Sequence, residues 1–401
     1  MLSKKLPKNY SFWLEDLDQS ISADPTDNVF DVAIVGGGFT GLNAALNLRL
    51  HGGMKVVLLE KDFCGSGAST QNAGFVSVEP LQSKDFISDI HLDAYRYLSN
   101  LIFENKIECN FQKSPLIKLA TNMKMQQKFS RINTAESFYI SPEEIKSESD
   151  VKGNFGGLVN NLSHSIHPGK YLSALKDIAI KQKCNLVEGF EVKTIKREGP
   201  IYLINNKIKA HNLICSTGAF KNKISKKMQK GFFQVGSSII VSEVLDLHTI
   251  NSISSKRRLF WDCRTFKNFL RITPDNRILF GGKNNIYPTS HLKNNFAYLK
   301  NCLNSFLNEN HDINIEYSWS GNLGMTFNLI PFIGKDEKGI YYAGGYCGSG
   351  IAMSSYFGSL LAKMLMENES IKLPTSYLNG IQYIPHFHSL LNNFLKLKNS
   401  F

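Results

Sequence analysis

Residues 31–42 read Asp-Val-Ala-Ile-Val-Gly-Gly-Gly-Phe-Thr-Gly-Leu, and this stretch decides the fold. Asp31–Val35 is a short apolar run, the pattern of a buried strand. Gly36–Gly41 is a glycine-rich turn. Leu42–Leu50 then alternates at helical spacing, with Leu42, Ala45, Leu46 and Leu50 on one stripe. His51-Gly52-Gly53 stops that helix, and Val56–Leu59 reads as the next strand, closing on Glu60. The result is a βαβ unit of about 30 residues. Within it, Gly36, Gly38 and Gly41 fit GxGxxG, after a strand and at the opening of a helix. Gly36 permits the tight turn, Gly38 lets a pyrophosphate approach the backbone, and Gly41 lets the helix pack closely on the strand. The helix N-terminus favours phosphate charge by about 0.3–2 kcal/mol, besides offering free N–H donors. Glu60 is placed to accept hydrogen bonds from the adenosine ribose hydroxyls, and its carboxylate would repel a 2′-phosphate. Phe39, Thr40 and Lys61 are counted with this dinucleotide site.

Three later segments point to FAD as the dinucleotide. Gly65–Gly74 reads GSGASTQNAG, small and polar. Its Gly67, Ala68, Ser69, Gln71, Asn72, Ala73 and Gly74 are candidates to lay N–H and hydroxyl groups along a pyrophosphate or flavin edge. A strand Asn212–Ser216 ends in Thr217-Gly218, a sharp turn where chain passes close to a ligand. Val192, in an expected strand Glu191–Ile195, joins the same set. Gly344–Ile351 reads GGYCGSGI and opens the helix Ala352–Leu365. Gly345, Gly348, Ser349, Gly350 and Ile351 there suggest a second anionic pole, suited to the negative charge of a reduced flavin near N1 and O2.

The 401 residues suggest two or three domains. With 42% hydrophobic and 20% charged residues, the chain is neither disordered nor collagenous. No apolar run approaches the roughly 18 residues of a membrane span. The formal net charge of +12 is spread along the sequence. Its densest run, Lys221–Lys230, carries no aromatic residue, so nucleic acid is not the expected partner. The seven cysteines are odd in number, form no CxxC pair and show no zinc spacing. Reduced thiols, no metal and a cytoplasmic location are expected. The N-terminus has a basic start without an apolar stretch, unlike a signal peptide or a transit peptide. Residues 1–28 are expected to form an arm, packed through Tyr10, Phe12 and Trp13. Ile87–Phe103, Lys170–Gln182 and 291–309 read as helices; Leu186–Val187, Ser238–Val241 and Arg277–Phe280 read as strands. His386–Phe401 has the pattern of a short amphipathic helix.

With these residues in hand, the chain resembles the D-amino-acid-oxidase-like FAD-dependent amine oxidoreductases, a group that includes glycine oxidase and monomeric sarcosine oxidase. The likeness covers about residues 10–385 and is closest to the gamma-glutamylputrescine-oxidase-like branch. It rests on Phe12-Trp13-Leu14, on 31–42, on GASTQNAG at 67–74, on FLRITPDNRILFGGK at 269–283, on WSGNLGMTFNLIPFIG at 319–334 and on GGYCGSGIAMS at 344–354. Three departures stand out: Thr70-Gln71 for the usual Gly-Arg, Asn328 where an Asp usually precedes the Pro, and Ser349 where a His is common.

The resemblance implies an α/β fold, with a Rossmann-type FAD-binding lobe and a mixed-sheet, α+β substrate lobe, glutathione-reductase-like and D-amino-acid-oxidase-like. The FAD lobe would use 29–80, 155–225 and 320–385, the substrate lobe 81–154 and 226–319, with 386–401 a tail. It implies oxidation of the C–N bond of a primary or secondary amine or amino acid, by hydride transfer to flavin N5 and hydrolysis of the imine, with oxygen a possible acceptor. FAD would be non-covalent, since Gln71 stands where some relatives carry a linking His and 319–328 holds no Cys. Arg271 is the candidate for pairing with a substrate carboxylate, and Tyr346 for lining the site. Two other readings remain: an FAD-binding subunit without amine turnover, and an FAD-dependent tRNA-modification component.

Overall fold

The computed structural model describes residues 8–17, 29–78, 86–220, 222–264, 267–285, 293–309, 311–326 and 328–368. The tail 386–401 lies outside the described residues. Two eight-stranded sheets form the molecule, and a three-stranded sheet of Phe75–Val76, His164–Ser165 and Gln112–Lys113 lies apart from both.

The first sheet is built on the βαβ unit. Val29–Val35 pairs in parallel with Val56–Leu59 on one side and Ile208–Cys215 on the other, and Asn185–Val187 extends it beside Val56–Leu59. The four residues of Val56–Leu59 are all buried, as a parallel strand covered on both faces must be. Tyr341–Gly344 joins Ile208–Cys215 in parallel, and Phe332–Lys335 pairs antiparallel with it. Helices Phe39–Gly52, Pro168–Lys181 and Gly350–Glu367 share one core with this sheet, around Leu42, Leu46, Leu172 and Phe357. Gly53, at φ 58°, ends the first helix by donating to the Arg49 and Leu48 carbonyls, as its glycines led one to expect.

The helix starts at Phe39, three residues before the expected stripe, and Phe39 extends that stripe into the same core against Tyr171. The expected strand Glu191–Ile195 is a loop instead. The Asn205 side chain binds Lys193 N, Thr194 N and Glu191 O, and the strand begins only at Ile195. An asparagine side chain has taken the place of a ladder.

The second sheet runs Ile315–Met325, Phe233–Ser242, Ile278–Asn285, Phe269–Ile272, Leu259–Asp262, Leu116–Leu119, Gly157–Asn160, Ser137–Ile140. Only Leu259–Asp262 with Leu116–Leu119 is parallel, so the sheet is mixed. One face packs on helices Leu247–Ser254 and Lys293–Phe306 through Ile240, Leu270, Phe280, Ile250 and Leu303. The other carries Ile239, Val241, Leu279, Tyr317 and Trp319, and receives Phe12 and Trp13 of the arm. Sheet membership departs from the expected segment limits at two places. Gly157–Asn160 and residues 320–325 belong to the second sheet, each held there by continuous strand pairing.

Candidate functional site

The turn after Val35 is shaped by close contact. Gly36 has φ 113°, and a Cβ there would lie 2.6 Å from the Ser216 carbonyl oxygen. One on Gly41 would lie 2.0 Å from the Gly36 oxygen, and one on Gly38 2.8 Å from Ser69 Oγ. Ser69 Oγ accepts the Phe39 N–H at 3.1 Å, which ties the 67–74 loop to the helix start. The N–H groups of Gly38, Thr40 and Gly41 have no acceptor among the described residues. Donors of this kind at a helix N-terminus fit a dinucleotide pyrophosphate. Glu60 sits at the end of Val56–Leu59, nearly buried. Its Oε2 accepts the Gly37 N–H at 2.7 Å and its Oε1 the Asp62 N–H at 3.1 Å, so the glycine turn and its own loop together set its orientation. Lys61 points elsewhere: its ammonium lies 4.7 Å over the Phe220 ring and 3.4 Å from Asp62.

The 67–74 loop folds on itself. Gln71 Nε2 donates to Ser66 O, and Asn72 Nδ2 donates to Ala68 O and Ser69 O, while Asn72 Oδ1 accepts from Gly74 N. From outside, Trp13 Nε1 donates to Asn72 O at 2.7 Å and Trp319 Nε1 to Gln71 O at 3.3 Å. Gly67 faces the Phe220 ring, and Gly321 of the second sheet faces Gln71. The loop thus lies between the two sheets. Thr217 Oγ1 accepts from Asn222, and Gly218 turns at φ 58° with open space beside it. Val192 lies in the 191–194 loop, half-buried against the first sheet's other core.

The second glycine-rich segment is arranged differently. Gly345 and Gly348 have positive φ, and Ser349 precedes the helix Gly350–Glu367 without a side-chain cap. A Cβ on Gly348 or Gly350 would meet nothing within 4 Å, and Ile351 is buried. This helix crosses the first so closely that a Cβ on Gly358 would lie 2.5 Å from the Thr40 oxygen. Tyr346 and Thr40, both assigned to the site, meet each other: Tyr346 Oη and Thr40 Oγ1 are 2.7 Å apart. Burial pushes the Tyr346 phenol well above its ordinary range. Tyr346 therefore clasps two helix starts and is not a free wall residue.

Arg271 departs furthest from expectation. It is 1% exposed, and its Nη1 donates at 3.0 Å to the carbonyls of Ala73, Gly74 and Ile166. Its guanidinium lies 5.6 Å over Trp13, and Nε has no partner. Burial lowers it to about 10, so it stays charged near neutrality. Geometry makes it a brace from the second sheet to the 73–74 carbonyls through Nη1. His167 adjoins it as a helix cap. Nδ1 accepts the Lys170 N–H, and Nε2 is 2.9 Å from Asp16 Oδ2. Burial, above all, lowers His167 to about 4.

Sequence reasoning passed over Phe220 and took Ser216 only as the strand end before the Thr217-Gly218 turn. Ser216 Oγ donates to Val35 O and packs against the position of Gly41. Its place at a strand end beside Thr217-Gly218 was the available signal; Phe220 had none. No cluster of three metal-ligating side chains occurs among the described residues, and no described helix is long and apolar enough to cross a membrane.

A strand, a glycine turn and a helix start with an acid on the next strand, roofed by a second mixed sheet, define an FAD-binding oxidoreductase architecture. The chain belongs to the FAD dependent oxidoreductase (DAO) family, which matches residues 31–364, and it is an FAD-dependent enzyme. It is similar to the gamma-glutamylputrescine oxidoreductase of Escherichia coli (strain K12), at 26% identity over 356 residues, 84% of this chain and 83% of that protein. Its fold matches glycine oxidase from Geobacillus kaustophilus with a TM-score of 0.75 and 19% identity, covering 88% of this chain and 100% of that one. The L-alpha-glycerophosphate oxidase from Mycoplasma pneumoniae, solved with FAD bound, matches with a TM-score of 0.71 and 19% identity, over 89% of this chain and all of the other.

Proposed function

We propose that the protein oxidises the C–N bond of a primary or secondary amine or amino acid to an imine, which water then hydrolyses, with oxygen as an acceptor of the electrons. The observation that carries this reading is an aromatic wall continuous with the 67–74 loop. Phe75 follows Gly74 directly, stacks on Trp261 with ring centroids 6.5 Å apart, and meets Phe269 edge-on at 5.9 Å. Such a wall excludes water from a donor carbon held against it. The likeness to an enzyme named for gamma-glutamylputrescine supports an amine donor.

Bound FAD supplies a two-electron acceptor that takes a hydride. The chain's own part is to bind, orient and keep dry. Gly36–Gly41 would offer N–H groups to the pyrophosphate, Glu60 would receive the ribose hydroxyls, and Gly345–Ile351 would present a helix N-terminus to the flavin. Arg271 keeps the Ala73 and Gly74 carbonyls in place, and Tyr346 holds the two helix starts together. An amine bound neutral needs no side-chain base. FAD is held without a covalent link, so acid precipitation should leave the yellow colour in the supernatant.

The test is an anaerobic screen of amines and amino acids against the purified holoenzyme. Bleaching of the flavin by an amine is the expected result. A flavin that dithionite reduces but no amine or amino acid does would overturn the proposal and favour an FAD-binding subunit without amine turnover.

A further inference from the structure

Successive carbonyls of the cofactor loop, from Thr70 to Gly74, accept side-chain donors from outside it. Thr70 O takes Ser11 Oγ, Gln71 O takes Trp319 Nε1, Asn72 O takes Trp13 Nε1, and Ala73 O and Gly74 O share Arg271 Nη1. In a trans peptide, a carbonyl and the N–H that follows it point in opposite directions. The N–H across from Thr70 O, that of Gln71, is spent on Ala68 O. The one across from Ala73 O, that of Gly74, is spent on Asn72 Oδ1. The two across from the indole-bound carbonyls differ. The N–H groups of Asn72 and Ala73 have no acceptor among the described residues. Each stands across its own peptide group from a buried tryptophan, Asn72 N–H from Trp319 and Ala73 N–H from Trp13.

Other contacts hold both indoles in place. Trp13 lies under the Arg271 guanidinium and meets the His167 ring edge-on at 4.7 Å, and Trp319 sits in a core with Ile239 and Leu279. The arm that carries Trp13 is also fastened apart from the loop: Lys8 N donates to Glu316 O, and Ser318 N donates to Lys8 O. We propose that Trp13 and Trp319 are positioning residues for the flavin. Each holds a loop carbonyl so that the N–H behind it, of Ala73 or Asn72, is presented to the flavin ring and favours its reduced state. Donation to a carbonyl polarises the peptide and strengthens the opposite N–H as a donor. Two-electron reduction adds negative charge to the ring, and donors fixed beforehand stabilise the charged form more than the neutral one. The inference rests on bound FAD and goes beyond the amine-oxidation reading, since it holds whichever donor is oxidised.

The experiment measures the reduction potential of the FAD-loaded enzyme by equilibration with a reference dye, with no amine present. Trp13→Phe and Trp319→Phe keep an aromatic ring and delete the N–H. Each should shift the reduction equilibrium about 10-fold towards oxidised flavin, about 30 mV for a two-electron couple. Ser11→Ala removes an arm–loop bond whose opposite N–H is already spent, and Phe12→Leu removes arm packing but no bond to the loop. Both should keep the wild-type potential. Melting temperature confirms that each variant is folded. Unchanged potential in both Phe variants overturns the inference. An equal shift in Ser11→Ala also overturns it, because the arm would then be a structural strap. Should either Phe variant release FAD, Ser11→Ala decides: flavin retained there supports the inference, and flavin lost there too overturns it. The amine screen stands apart from these outcomes. Failure of every amine to bleach the flavin leaves the potential shifts as expected, and unchanged potentials leave the oxidation reading intact.

Discussion

The two glycine-rich helix starts look alike in sequence and differ in physics. At Gly36–Gly41, each of the three motif glycines has a neighbour inside 3 Å of where a Cβ would stand, two of them backbone oxygens. At Gly345–Gly350, Gly345 is crowded by Thr326, but Gly348 and Gly350 face open space. The first start is fixed by packing within the protein. The second is fixed by backbone conformation, through the positive φ of Gly345 and Gly348, and keeps room beside it. The same residue type thus serves close approach in one place and clearance in the other.

Substitutions can break this contrast. Gly41→Val should be the most damaging, because its Cβ collides with backbone that cannot move alone. A loss of more than about 4 kcal/mol, seen as failure to reach a cooperative melting transition, is expected. Gly38→Val meets only the Ser69 hydroxyl, so it should fold but lose FAD, read as the flavin-to-protein ratio after gel filtration. Normal flavin content in folded Gly38→Val would sink the pyrophosphate assignment.

The brace on the crowded side comes next in size. Arg271→Ala removes the donor that Ala73 O and Ile166 O share, while Gly74 O keeps the Ile166 N–H, and a loss on the order of 3 kcal/mol in chemical denaturation should follow. If stability held and only turnover of carboxylated amines fell, Arg271 would return as a substrate ligand.

His167 stands beside that brace and should make its side of the molecule acid-sensitive. Its folded value, about 4, lies below an unfolded value near 6.5, so the native state binds fewer protons. Its contribution is complete above about pH 6.5 and is lost as pH falls towards 4. The amount is on the order of 3 kcal/mol at about 1.4 kcal/mol per unit. His167→Asn, which still caps the helix, should flatten the melting temperature between pH 7 and pH 4. An unchanged slope would show that the imidazole is not the sensitive group. The smallest effect belongs to the open side. Gly350→Ala should alter stability by no more than about 1 kcal/mol, and favourably, since alanine is the better helix former. A marked destabilisation would show that the space there is not open.

Local features were legible from sequence because their physics is local. The strand Val56–Leu59, the stop at Gly53 and the helix after Pro168 follow from runs, periods and caps a few residues long. The reading of 191–195 as a strand failed because Asn205, beyond the next two strands, captured its backbone. The reading of Arg271 likewise missed the carbonyls that its Nη1 serves. Its acceptors Ala73 and Gly74 lie almost two hundred residues away, and a guanidinium suits carbonyls as well as carboxylates.

By itself the sequence determined the dinucleotide unit, because GxGxxG and Glu60 owe their meaning to a turn, a helix dipole and the end of one strand, all within thirty residues. Tertiary structure alone decided which polar groups remain available. Burial and chain folding spent Arg271 on carbonyls, tied Tyr346 to Thr40, made His167 a cap, and brought Lys118 and Lys267 onto one indole. A side chain's chemistry is written in its identity, but its freedom to act depends on which partners the packed fold has already given it.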